Sequence, residues 1–220
     1  LSRGLGDVYK RQVGVLLQKF DAISVRDANS GAIVEQLTEK KPVYNLDPVL
    51  TYDYMNCCDK IPQLRVDEKY LILYAYAGRI SNEEADWIAA YAKKKNLKVY
   101  AIGGIQKCAD RFVDCSPFEV LAYFRNAEEV ITDTFHGSIF SVITHRPFTT
   151  LIRKSVGNSY GNEEKLSDLL ERLDLADRMT AKVEDAENIN EETIDYAKVD
   201  ELLKAHREVA KEYLRSNLEG

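Results

Sequence analysis

From residue 70 onward, strand-like apolar runs alternate with capped helical segments, and no other feature limits the fold as much. Tyr70-Leu71-Ile72-Leu73-Tyr74-Ala75-Tyr76 is a nearly continuous apolar run, as in a parallel strand covered on both faces. Ser81-Asn82-Glu83-Glu84 is a capping box, in which hydroxyl and carboxylate satisfy amides at a helix start, and it predicts a helix to about residue 95. A strand over 98–102 ends in Gly103-Gly104, and a short strand covers 111–114. Ser116-Pro117-Phe118-Glu119 then opens a second capped helix, with proline at the tolerated first position. A strand over 129–132, a helix to about His145, a break at Arg146-Pro147 and a strand over 148–152 complete the series. Strands joined through helices imply parallel pairing and right-handed crossovers. The expectation is an α/β, doubly wound parallel sheet of Rossmann-like type, with strand order 3-2-1-4-5.

The flanks are less regular. Strands over 22–25 and 42–46 around a helix over 28–37 read as the remnant of a preceding α/β domain, with Asp47-Pro48 and 53–67 as the passage out of it. Downstream, 164–173 reads as a helix and 181–191 as an acidic, poorly patterned loop. Val199, Leu202, Leu203, Val209, Tyr213 and Leu214 form an apolar stripe on a long closing helix. Residues 1–12 have no apolar period and no initiator methionine. Asp7-Val8-Tyr9-Lys10-Arg11-Gln12 can be back-translated as GAT GTG TAT AAG AGA CAG, which is similar to the end of a transposon sequencing adaptor. This segment is expected to be non-native and joined to a chain truncated at its start. The division expected is 1–12 adaptor-derived, 13–66 remnant and passage, 67–180 Rossmann-like domain, and 181–220 acidic loop with closing helix.

Composition excludes several classes of function. A net charge of −6, with the basic residues spread through the chain, argues against a nucleic-acid partner. No apolar run approaches the ~20 residues needed to span a bilayer. Cys57, Cys58, Cys108 and Cys115 lack metal-ligand spacing and read as reduced thiols, so neither a metal nor a disulfide framework is expected.

In open α/β sheets, ligands bind beyond the carboxyl ends of the strands, where strand order reverses. The first strand offers Gly78 and Arg79 there, and the second Gly103, Gly104 and Lys107. The third offers Asp114 and Ser116, and the fifth Arg153, Lys154 and Asn158. The fourth is followed by Asp133-Thr134-Phe135-His136-Gly137-Ser138. This strand-to-helix turn is expected to aim main-chain N–H groups and the positive end of a helix dipole at an anion. His136 and Asp133 add proton-transfer capacity and are the candidate catalytic residues. Thr134, Gly137, Ser138, Arg79 and Arg153 are the candidate substrate-binding residues, with Arg79 and His136 expected in one crevice. Each has a bland alternative: Asp133 as a helix N-cap, Thr134 and Ser138 as capping hydroxyls, the arginines in salt bridges. Phe135 reads as a core anchor, and Arg146, His145 and His206 as structural. An anion pocket with its own acid points to an enzyme acting on a phosphorylated small molecule.

Ile131-Thr132-Asp133-Thr134-Phe135-His136-Gly137-Ser138-Ile139-Phe140-Ser141, followed by Arg146-Pro147-Phe148, resembles the signature of the polysaccharide pyruvyl transferases. Ile23-Ser24-Val25-Arg26-Asp27, Leu46-Asp47-Pro48, Ser116-Pro117-Phe118-Glu119 with Asn126-Ala127, and Leu169-Leu170 through Leu175 and Arg178 resemble further segments in the family's order. Lys165 stands where that family often has an arginine, so the bidentate fork is lost there. The resemblance implies a two-domain, GT-B-like architecture whose C-terminal domain holds phosphoenolpyruvate as donor substrate, with no cofactor. It also implies a sugar acceptor, a lipid-linked oligosaccharide, and work in the cytoplasm or at the inner face of the membrane. The product would be a cyclic pyruvyl ketal on a cell-surface polysaccharide or its lipid-linked precursor. The alternatives are a GT-B nucleotide-sugar glycosyltransferase and a catalytically inert donor-binding fragment.

Overall fold

The computed structural model describes residues 2–154 and 162–218, with side chains from Tyr9 onward. The chain divides into two compact units, one of Leu1–Tyr52 with Asp200–Gly220 and one of Asp53–Val199. The boundaries expected at 66/67 and 180/181 both fall inside the second unit.

In the first unit, α1 (Ser2–Leu17) is followed by β1 (Ser24–Val25), α2 (Ala28–Thr38), β2 (Val43–Tyr44) and the short α3 (Pro48–Thr51). Helix α1 runs through the segment for which the sequence offered no periodic element. β1 and β2 pair in parallel, giving the expected βαβ unit. Its joints come from motif residues. Asp27 caps α2 by accepting from the Ser30 amide at 2.7 Å, and Arg26 meets Asp47 at 2.6 Å. Asp47 in turn caps α3 through the Val49 amide. Both carboxylates are buried, so each is held by the partners it requires.

The second unit carries α4 (Tyr54–Cys57), β3 (Tyr70–Tyr74), α5 (Asn82–Lys94), β4 (Lys98–Ile102), β5 (Arg111–Phe112), α6 (Pro117–Asn126), β6 (Glu129–Thr132), α7 (Phe135–Ile143), β7 (Phe148–Leu151), α8 (Glu163–Arg172), β8 (Met179–Thr180) and α9 (Ala186–Glu191). Helix α10 (Tyr196–Leu218) begins here. Among the described residues six strands form one parallel sheet of order β5-β4-β3-β6-β7-β8. This is the expected doubly wound order with one strand added at the edge. β8 has two half-buried residues, too few for any periodicity to register.

Alternation along the strands supplies two cores. Leu71, Leu73, Val99 and Ile131 pack on one face with Ile88 and Tyr91 of α5. On the other, Tyr70 stacks on Tyr100 at 4.3 Å, and Tyr74, Phe124 and Phe140 meet edge-on or tilted. The expected loop over 181–191 is instead a 3-10 turn (Val183–Asp185) and α9. Val183 and Ala186 are buried against the first core, and Asn190 accepts from the Thr149 hydroxyl of β7 at 2.9 Å. Buried Arg178 holds the same segment by donating to the Ile189 and Glu192 carbonyls. The acidic residues that masked this pattern lie on its outer side. Both capping boxes form as expected. Arg146 donates to the main-chain carbonyls of Thr144 and Ala127, and His145, at φ 54°, stacks on Tyr196; both are structural, as expected.

Candidate functional site

The strand order reverses between β3 and β6, and there the loops after β3, β6 and β7 line an open cavity of about 360 Å³. Gly78 and Arg79, Asp133, and Ile152, Arg153 and Lys154 line it. Three strand ends that the sequence had aligned thus converge on one spot. Others do not join them. Lys107 pairs with Asp86, Ser116 caps α6 and Lys165 is exposed. Asn158 lies outside the described residues.

Asp133 is the centre of this arrangement. It is fully buried, and neither carboxylate oxygen accepts a hydrogen bond from any described residue. The N-cap of α7 is Thr134, whose hydroxyl accepts from the Gly137 amide at 2.9 Å, so Asp133 has no capping duty. Burial pushes its carboxyl up to about 6, against the downward pull of Arg79 and Arg153 and with a small upward push from Glu84. A carboxyl shifted towards neutrality in a cleft, with identified cations beside it, makes Asp133 a candidate acid or base.

The two arginines are held differently. Arg79 lies with its guanidinium over the Tyr76 ring, 4.5 Å from the centroid, a stacking that fixes a planar cation. Arg153 donates through Nη1 to Glu84 Oε1 at 2.7 Å, while its buried Nε and Nη2 meet no acceptor among the described residues. Half of its fork is therefore committed and half remains for a ligand. From the sequence, Glu84 is a capping residue. It does cap, since its other oxygen accepts from the Ser81 amide, and it anchors Arg153 at the same time.

Asn162 was not foreseen. Its side chain donates to the Asp133 and Leu151 carbonyls and accepts from the Arg153 amide at 2.6 Å, tying the ends of β6 and β7 together. It sits at the start of α8, where an asparagine reads as a routine cap, and nothing in the pattern distinguishes the bridging role.

The geometry of the motif turn has two features that the sequence does not show. First, the amides expected to cradle an anion are already engaged. Gly137 donates to the Thr134 hydroxyl, and Ser138 to the Thr134 carbonyl at 3.3 Å. The Ser138 hydroxyl faces the sheet, 2.8 Å from that of Thr150, so Gly137, Ser138 and Thr134 all take part in holding the turn. Thr132 gives its proton to the Tyr74 carbonyl at 2.7 Å. Thr134, 3.1 Å away, must then donate to Thr132. A one-way relay runs from the Gly137 amide through Thr134 and Thr132 to Tyr74. Gly137 is glycine for room, because a Cβ there would lie 2.0 Å from Thr132 Oγ1. Second, His136 does not line the cavity with Arg79. It is half-buried on the first turn of α7, its ring 6.0 Å from that of Phe140 and 5.7 Å, edge-on, from that of Phe135.

Among the described residues no group of three or more His, Cys, Asp or Glu gathers as a metal site, and no helix is long and apolar enough to cross a membrane. Among solved structures, the chain is similar to the glycotransferase of kitacinnamycin at 9% identity, covering 74% of this chain and 46% of that one with a TM-score of 0.48. It is similar to a Thermobaculum terrenum O-GlcNAc transferase mutant at 15% identity, covering 83% and 38%, TM-score 0.42. The glycosyltransferase SnogD from Streptomyces nogalater follows at 9%, covering 84% and 60%, TM-score 0.39. The chain thus spans less than half the length of the first two, and the fold assignment rests on the strand order itself. No curated protein matches the chain. The polysaccharide pyruvyl transferase family model matches residues 4–155, which include β3 to β7, the motif turn and every residue lining the cavity, and the chain belongs to that family.

Proposed function

We propose that this chain carries the donor site of an enzyme that moves a pyruvyl group from phosphoenolpyruvate to a sugar, a lipid-linked precursor of a cell-surface polysaccharide, at the cytoplasmic face of the membrane. The observation that carries this reading is the buried Asp133 carboxyl set between Arg79 and Arg153 at the strand ends. Phosphoenolpyruvate presents a phosphate and a carboxylate, which suit two guanidiniums and Lys154. Its methylene carbon must be protonated before C2 can be attacked, which requires an acid in the same cleft. One sugar hydroxyl then adds to C2, phosphate departs, and a second hydroxyl closes the ketal. One hydroxyl proton balances the new methyl group and the other leaves with phosphate. Asp133 and His136 are the candidate proton carriers, and Asp133 is the one facing the cavity.

Calorimetric titration of this chain tests the reading. Phosphoenolpyruvate is expected to bind, and Arg79→Ala to weaken it by about tenfold or more, the worth of one charged hydrogen bond. Binding of a nucleotide sugar with no binding of phosphoenolpyruvate would overturn the proposal in favour of a glycosyltransferase.

A further inference from the structure

We infer that Asp133 captures a proton as an anionic ligand enters the cavity, so that the site takes its donor as anion and proton together; this deepens the donor reading above and rests on it. The geometry leaves few alternatives. Asp133 is fully buried, and its two oxygens accept nothing from the described residues. The charged groups facing it are Arg79 after β3, Arg153 and Lys154 after β7, and Glu84 of α5 behind Arg153. His136 follows on its own helix, and Asn162 contributes only a neutral amide to the Asp133 carbonyl. With the cavity empty, the two guanidiniums offset part of the cost of a buried carboxylate, and its midpoint stays at about 6. The carboxyl is then mostly ionised at neutral pH.

A phosphate or carboxylate that pairs with Arg79 and with the uncommitted half of Arg153 changes this balance. It draws away the cations that favoured the ionised form, and it sets fresh negative charge beside a buried carboxylate. Both effects raise the Asp133 midpoint, so binding near neutrality draws a proton from solvent. By reciprocity, the affinity for the anion falls as pH rises.

The captured proton then stands where the reaction needs one. Its transfer breaks the Asp133 O–H bond and forms a C–H bond at the methylene carbon with the electron pair of the enol double bond. The carboxylate left behind faces the cationic C2 and accepts the proton of the first sugar hydroxyl as that oxygen bonds to C2. The second hydroxyl's proton leaves with phosphate. Discharge of phosphate restores the cations to Asp133 and releases its proton.

Calorimetry of phosphoenolpyruvate binding near neutral pH, repeated in buffers of different ionisation enthalpy, counts the protons taken up. The wild-type chain is expected to take up of the order of one proton per ligand, and its dissociation constant to rise about tenfold per pH unit above neutrality. Asp133→Asn should bind at least as tightly near neutral pH, with uptake reduced to the ligand's own share and a flat pH dependence. The wild-type count and slope stand as a test without the variant. Binding with no uptake beyond the ligand's own, or uptake undiminished in a folded Asp133→Asn protein, would overturn the inference and leave the donor reading intact. Absence of phosphoenolpyruvate binding by either protein would overturn both.

Discussion

A carboxyl that is fully buried is a burden on a fold unless it is hydrogen-bonded, and Asp133, which accepts no hydrogen bond from the described residues, carries that burden at the reversal point of the sheet. Its size follows from linkage. The folded-state midpoint is raised from 3.8 to about 6, so folding favours the protonated form, and stability present at low pH is lost as pH rises through that interval. Relative to Asp133→Asn, which has no such proton, the wild-type chain should lose on the order of 2 kcal/mol between about pH 4 and pH 7. Urea denaturation of both proteins at the two pH values measures this, and parallel stabilities would show that the carboxyl is not desolvated. The sequence marked Asp133 as an acid next to a glycine turn, but it also allowed an N-cap. Thr134 won that role because its hydroxyl reaches the Gly137 amide, and this freed Asp133 for the cavity. What stayed hidden was the engagement of the neighbouring amides, since a Thr-x-Thr pair does not announce which hydroxyl donates to which.

At the scale of elements, α5 is coupled to the cavity through Glu84, whose two oxygens serve Ser81 and Arg153 separately. Glu84→Gln keeps a carbonyl oxygen for the cap and removes a negative charge near Asp133. Glu84 raises the Asp133 midpoint, so the variant should lower it, and Arg153 gains a freer fork. Anions should then bind more tightly, with the pH dependence displaced to lower pH, as titration across pH can test. Strands and helices of the central sheet were legible because each apolar run is bounded by a capping box, a glycine pair or a proline. β8 was not, because two half-buried residues are too few to show a pattern, and neither was the segment of the 3-10 turn and α9, whose burial rests on single residues, Val183, Ala186 and Asn190, set among acids so that no window over 181–191 shows a period.

For the whole molecule, all strands of the large sheet and every residue lining the cavity belong to the continuous stretch Asp53–Val199. That stretch expressed alone should fold and bind phosphoenolpyruvate with an affinity within about tenfold of the full chain; circular dichroism and calorimetry check both parts. Loss of binding in a folded product would show that residues outside the stretch complete the pocket. The sheet order has a temporal corollary. β3 pairs with β4 after a single helix, whereas its partner on the other side, β6, arrives much later along the chain. Distant partners meet slowly, because a long loop must first close. A growing polypeptide can therefore zip the outer half of its sheet early, while the seam that houses Asp133 joins late, so a nascent chain lacks this cleft until most of the unit has emerged.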